Sequence, residues 1–190
     1  MIRIVMAVQI VYETHATSTD NESGVATGWL PGQLSDQGIA NAWELGVRRR
    51  DDGLAAVFVS DLVRAVDTAT IAFAGQKFPI FQDPRLRECN YGELNGAPVA
   101  ALAAERALHV DVPFPGGQSY RQVAAQTREF LAEVAARWND RRVLLIAHSA
   151  NLWALEHLLH DVPLEDLVSR PFGWQPGWEF VLPTNWTGAA

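Results

Sequence analysis

Two histidines, an arginine and a glutamate stand at positions where the chain could bring them together. His148 follows the run Arg142 to Ala147, and His15 comes just after the run Ile4 to Tyr12. Arg64 and Asp61 lie just past a third run, Ala56 to Val59, and Glu88 sits in a long irregular stretch. Such short, apolar, β-branched runs are the pattern of strands covered on both faces. A neutral imidazole can act as a nucleophile near pH 7 if its tautomer is fixed, a guanidinium grips anions through its planar fork, and a carboxyl group can carry protons. If the strands are parallel, His15, Asp61 with Arg64, and His148 share the carboxyl edge of the sheet, where ligands bind in open α/β folds.

The intervening segments have helical period, so the expected fold class is α/β: a three-layer α/β/α arrangement around a mostly parallel central sheet. Ser35 is placed to cap a helix running to about Arg49, with Ile39, Ala42, Trp43, Gly46 and Val47 as its inner face. A helix after Asp61 carries Val63, Val66, Thr70 and Phe73 on one side. A short strand is expected near Ile80, a helix over Val99 to Arg106, and the longest helix over Ser119 to Trp138, with Tyr120, Val123, Thr127, Phe130, Val134 and Trp138 in phase. A helix over Leu152 to Leu159 and a last strand over Trp178 to Leu182 complete the map. The expectation is one domain over 1–190, with a substrate-specificity insertion at about 83–118.

Composition narrows the partners. Lys and Arg total 15 against 22 Asp and Glu, a net charge of -7, and the one dense basic run, Arg48-Arg49-Arg50, meets Asp51-Asp52 at once. That run suits a helix C-terminus better than a nucleic-acid or anionic-membrane surface, so neither partner is expected. The apolar opening is short, holds Gln9 and runs on into Glu13-Thr14-His15, which fits a buried strand rather than a signal peptide, and the expected location is the cytoplasm. Cys89 is the only cysteine. His157 and His160 with Glu156 lack an evident third ligand, so no metal and no cofactor are expected. A homodimer is left open.

In order along the chain, several short motifs resemble the histidine phosphatase superfamily, in its phosphoglycerate mutase-like branch. The strand ending Glu13-Thr14-His15-Ala16, with Asn21 beyond it, is similar to the family's Arg-His-Gly and following Asn. Thr27-Gly28-Trp29, Leu34-Ser35-Asp36-Gln37-Gly38 and Ser60-Asp61-Leu62-Val63-Arg64-Ala65 match further family segments. So do Leu86-Arg87-Glu88 through Gly92 and Gly96, Pro115-Gly116-Gly117-Gln118-Ser119, and His148-Ser149. The resemblance implies phosphoryl transfer onto His15 and then to water, with a small phosphorylated substrate. It casts Arg64 and a protonated His148 as the cationic grip, Asn21 as a further donor, and Glu88 as proton donor to the leaving group and then base for water. Thr27, Gly28, Ser149, Arg87 and Thr14 are expected to line the phosphate and substrate site.

One departure bears on this. Thr14 stands where the family has Arg, and Glu13 beside it would repel phosphate if it faced the pocket. Strand alternation places the two on opposite faces, and Arg87 or Arg85 is the expected substitute cation. Two alternatives stay open: a catalytically weak or inactive member that binds an anionic ligand or a protein partner, and a phosphomutase. Mutases of the family are longer, so the compact chain favours hydrolysis.

Overall fold

The computed structural model describes residues 7–186 and 188. The apolar start of the first predicted strand, Ile4 to Met6, lies outside those residues; the strand β1 is described over Ala7–Thr14. In chain order there follow α1 (Thr19–Glu22), β2 (Val25–Ala26), α2 (Asp36–Arg49), β3 (Ala56–Val59), α3 (Val63–Ala72), β4 (Ile80–Gln82), β5 (Ala97–Pro98) and α4 (Val99–Glu105). Then come α5 (Tyr120–Arg137), β6 (Arg142–Ala147), α6 (Ser149–His160), α7 (Leu164–Ser169) and β7 (Trp178–Pro183).

The main sheet has the order β4-β3-β6-β1-β7, parallel except for β7, which pairs antiparallel with β1. Its central strand β6 buries Val143 through Ala147 completely, which is why that run is the most apolar in the sequence. Sinking each such Val, Leu or Ile contributes about 1.5–3 kcal/mol. Helices α5 and α6 cover one face, through Phe130, Leu131, Val134, Leu152 and Leu155. On the other face α2 and α3 pack Leu45, Ala65, Ala69 and Phe73 against Val57, Val59, Leu144 and Ile146. A further cluster joins Cys89, Tyr91, Leu102, Val110 and Phe114, from the region expected to be an insertion, to Tyr120 of α5, Trp153 of α6 and Leu164 of α7.

Two helices turn a different face inward from the one expected. On α2 the buried residues are Gly38, Ala42, Leu45, Gly46 and Arg49, whereas Ile39, Trp43 and Val47 are exposed. The helix runs so close to its neighbours that a Cβ on Gly46 would lie 2.1 Å from the Ala72 carbonyl oxygen, and one on Gly38 1.8 Å from that of Thr17. Glycine is therefore required at these two close approaches, and Ile39, Trp43 and Val47 are turned out. On α3 the buried side holds Arg64, Ala65, Thr68 and Ala69, while Val63 and Thr70 are exposed. That face borders a cavity, to which it brings Arg64.

Candidate active site

Strand register does the positioning. β1 pairs with β6 so that Thr14 lies beside Ala147, and the His15 amide donates to the Ala147 carbonyl at 2.9 Å. The next residue on each strand is thus a histidine, and the two rings stand 5.1 Å apart. β3 ends level with β6, so Ser60 reaches His148 Nε2 at 2.9 Å, and α3 starts just beyond with Arg64.

The tautomers follow from the partners. His15 Nδ1 meets the Ala16 carbonyl oxygen at 2.7 Å; a carbonyl only accepts, so Nδ1 carries the proton and Nε2 keeps its lone pair. Arg64 Nε donates to that Nε2 at 3.2 Å, while its Nη2 donates to the Gly28 carbonyl at 2.9 Å and faces His148 Nδ1 at 3.3 Å. A guanidinium only donates, so His148 Nδ1 accepts and its Nε2–H points to Ser60. Gly28 has φ +54°, and a Cβ there would fall 1.8 Å from Asn95 Oδ1, so the turn that offers its carbonyl to Arg64 needs glycine.

Burial, and then the Arg64 charge, lower the His15 pKa to about 3. The same two causes, followed by His15 itself, hold His148 well below the usual histidine range. The ring therefore favours its neutral form beside Arg64, and the expected protonated His148 belongs to the complex with an anion, whose charge would offset Arg64. Arg64 is only 2% exposed, and its Nη1 has no partner among the described residues.

Glu88 closes the group from the side of α6. Its Oε1 accepts from the amides of Cys89 (2.8 Å) and Ala150 (3.3 Å), and Oε2 accepts from the Ser149 hydroxyl at 2.9 Å. His15, Arg64, Glu88, His148, Thr14, Asn21, Thr27, Gly28 and Ser149 all border one cavity of about 480 Å³. Within it, Asn21 uses its Oδ1 to accept from the Ser18 amide, and the Thr27 hydroxyl donates to Asp20.

Arg87 is not brought there. Its guanidinium is clamped on Asp61 by bonds of 2.7 and 2.6 Å and lies 4.7 Å over the Trp29 ring, outside the cavity wall. Arg85 is held by Asp83 and Glu133. Neither substitutes for the cation absent at Thr14. The arginines that do border the cavity besides Arg64 are Arg48 and Arg106. Glu13 and Thr14 both border it too, because the cavity passes over the end of β1, where strand alternation stops dictating which way residues face. Glu13 is buried and held by Arg49 at 2.7 and 2.9 Å and by Arg48 at 3.1 and 3.2 Å, so two guanidiniums outweigh its charge. Arg48 was hidden in a basic run that the helix dipole explained by itself; only its place on α2 assigns it to the cavity. At the mouth stand Phe172 and Trp174, the latter 62% exposed.

Comparison with known proteins agrees with the fold. The chain is 30% identical over 176 residues to a 2,3-bisphosphoglycerate-dependent phosphoglycerate mutase of a Bradyrhizobium species, covering 85% of each chain. Among solved structures, Bacillus stearothermophilus YhfR superposes with a TM-score of 0.79 at 27% identity, over 90% of this chain and 88% of that one. A mycobacterial glucosyl-3-phosphoglycerate phosphatase in complex with VO3 superposes with a TM-score of 0.75 at 27% identity, over 85% and 86%. The expectation that mutases are the longer proteins finds no support, since the mutase relative is matched over 85% of its own length. No helix among the described residues is long and apolar enough to cross a membrane. The model of the histidine phosphatase superfamily, branch 1, matches residues 14–174, and the chain belongs to that family.

Proposed function

We propose that the protein is a phosphatase that hydrolyses a small phosphomonoester through a phosphohistidine on His15. The observation that carries this reading is Arg64: a buried guanidinium set between two neutral imidazoles, with Nη1 unpaired among the described residues. A buried cation with an open donor calls for an anion, and the lone pair of His15 Nε2 lies beside it. Arg64 takes phosphoryl oxygens, and the dianion draws a proton onto His148, adding a second charged donor. Nε2 attacks phosphorus in line; the P–O bond to the alcohol breaks as the N–P bond forms, and Glu88, protonated in the substrate complex, gives the departing alkoxide its proton. Glu88 then accepts a proton from water as that water attacks phosphorus and releases His15. The chain acts as one catalytic domain, with residues 83–118 supplying Tyr91, Val99, Leu102 and Arg106 to the wall that meets the alcohol.

Glu88→Gln tests the sequence of steps. Hydrolysis of an alkyl phosphate should fall on the order of 10²-fold. A p-nitrophenyl ester, whose leaving group needs no proton, should still phosphorylate His15, and labelled phosphohistidine should accumulate on rapid quenching. Failure to find alkali-stable, acid-labile label on His15 after an alkaline quench would defeat the mechanism. A mutase is the second reading, favoured by the names of the relatives. Labelled phosphate would then appear in an isomer of the substrate instead of in inorganic phosphate.

The cavity is larger than a phosphoryl group needs, and Phe172 and Trp174 at its mouth suit an ester with an apolar body. Trp174→Ala should raise KM for 2-naphthylmethyl phosphate about tenfold and leave that for ethyl phosphate unchanged. Both are primary alkyl esters, so leaving-group chemistry does not enter, and equal effects on the two would remove Trp174 from substrate contact.

A further inference from the structure

Helix α2 carries an exposed stripe with a symmetry of its own. Asp36, Ile39, Trp43, Val47 and Arg50 are all exposed, Arg50 being the C-cap residue with helical backbone angles. Trp43 is 59% exposed, Val47 61% and Ile39 43%, a concentration of large apolar surface that soluble proteins rarely leave uncovered. At 3.6 residues per turn the five fall within an arc of about 80°. The order is the notable part. Ile39 and Val47 lie about one turn either side of Trp43, and Asp36 and Arg50 about two turns either side. Acid, apolar, tryptophan, apolar, base is therefore a pattern that complements its own reverse.

We infer that α2 is a homodimer interface, pairing antiparallel with α2 of a second copy about a two-fold axis through Trp43. An isologous contact must be self-complementary: whatever residue meets another on the partner is met by it in return. Antiparallel pairing centred on Trp43 sets Ile39 against the partner's Val47 and Asp36 against the partner's Arg50, twice over. A parallel pairing would set like charges together at both ends. Neither Asp36 nor Arg50 has an ion-pair or hydrogen-bond partner among the described residues, so both are free to make these contacts. The opposite side of α2 is engaged otherwise: Gly38, Ala42, Leu45, Gly46 and Arg49 face the fold, and Asn41 and Arg48 border the cavity. Two tryptophans, two isoleucines and two valines with their rims place the contact near the lower size of a specific interface, about 1,000 Å² in total. The inference does not depend on the phosphatase reading, and its test makes no use of activity.

Sedimentation velocity of the full chain from about 1 to 100 µM should show a monomer passing to a dimer. Trp43→Glu should leave the far-ultraviolet dichroism intact, and the melting temperature too when both proteins are dilute enough to be monomeric, since the position is exposed, and abolish the dimer over that range. Asp36→Arg sets arginine against the partner's Arg50 at both ends and should raise the dimer Kd about tenfold. Arg50→Asp added to it exchanges the charges and should restore the wild-type Kd. A wild type that stays monomeric at every concentration overturns the inference, as does a dimer indifferent to Trp43→Glu. A single charge reversal that tightens the dimer, or a double exchange that fails to restore it, overturns the antiparallel register.

Discussion

His15→Ala is expected to lower kcat/KM for any phosphomonoester the protein hydrolyses by about 10⁴-fold or more, because the group that forms the covalent intermediate is gone while binding survives. Wild type and variant should still bind vanadate, since Arg64 and the donors around it remain. The wild-type pH profile adds a sharper check. With the His15 pKa lowered to about 3 by burial and then by Arg64, the ring keeps its lone pair far below neutrality. Protonation of an ordinary histidine would cut activity below about pH 6.5. Here kcat/KM should show no loss attributable to the nucleophile between pH 7 and 5. The same shift has a stability consequence whose sign is fixed. The unfolded ring takes up its proton near pH 6.5 and the folded ring only near 3, so the unfolded state binds more protons in between. The stability contribution of neutral His15 is present above the unfolded value and is lost as pH falls from about 6.5 toward 3, at up to about 1.4 kcal/mol per pH unit. Denaturant titrations at pH 7, 5 and 4 should show a steeper decline for wild type than for His15→Ala. Parallel declines would mean that the folded ring titrates normally, and the case for a neutral nucleophile would go with it.

The edge that carries the candidate site was legible in the sequence because its residues follow strands that announce themselves. A strand buried on both faces has little freedom in composition, and Ala56–Val59 and Arg142–Ala147 emerge with the bounds read from the chain. Parallel pairing in register then makes adjacency of His15 and His148 automatic. What was not legible was the orientation of the helices. Apolar periodicity selects the largest hydrophobic residues as the inner face, and on α2 the contact with α3 is too close for them. On α3 the inward face holds Arg64 at the cavity and Thr68, whose hydroxyl accepts from the Ala16 amide, so both are buried where periodicity favours Val63 and Thr70. Charge partners were equally hidden. That Arg87 answers Asp61, and that Arg48 and Arg49 answer Glu13, depends on the packing of segments far apart in sequence. No local rule links them. The error about Arg87 and the omission of Arg48 have this one origin.

Arg64→Met should separate what the fold needs from what the chemistry needs. Arg64 forms no ion pair with a carboxylate among the described residues; its bonds go to one carbonyl and two neutral rings. Burial is the largest influence on it and opposes its charge, with Glu88, Tyr91 and Asp20 acting at longer range in the other direction. Such a residue costs stability in the empty protein, and exchanging it for an apolar side chain of similar length is expected to leave unfolding free energy unchanged or raise it by roughly 1–2 kcal/mol. The gain is limited because the Gly28 carbonyl and His148 Nδ1 lose a donor, though the adjoining cavity can give them water. Activity should move the opposite way. One lost transition-state donor costs about 10²–10³ in rate, and here a full charge and two or more donors leave together, so a fall of 10³-fold or greater is expected. Phosphate or vanadate provides the third readout. At a hundred times its Kd a ligand stabilises the folded state by about 2.7 kcal/mol, and wild type should show such a shift in melting temperature while Arg64→Met shows almost none. His15 would also be released from the positive charge that helps depress its pKa, so the variant should take up a proton on that ring at a higher pH than wild type does. If instead Arg64→Met unfolds by more than about 2 kcal/mol more easily, Arg64 is a structural pin between Gly28 and the two histidines, and the empty guanidinium loses its force as the sign of an anion site.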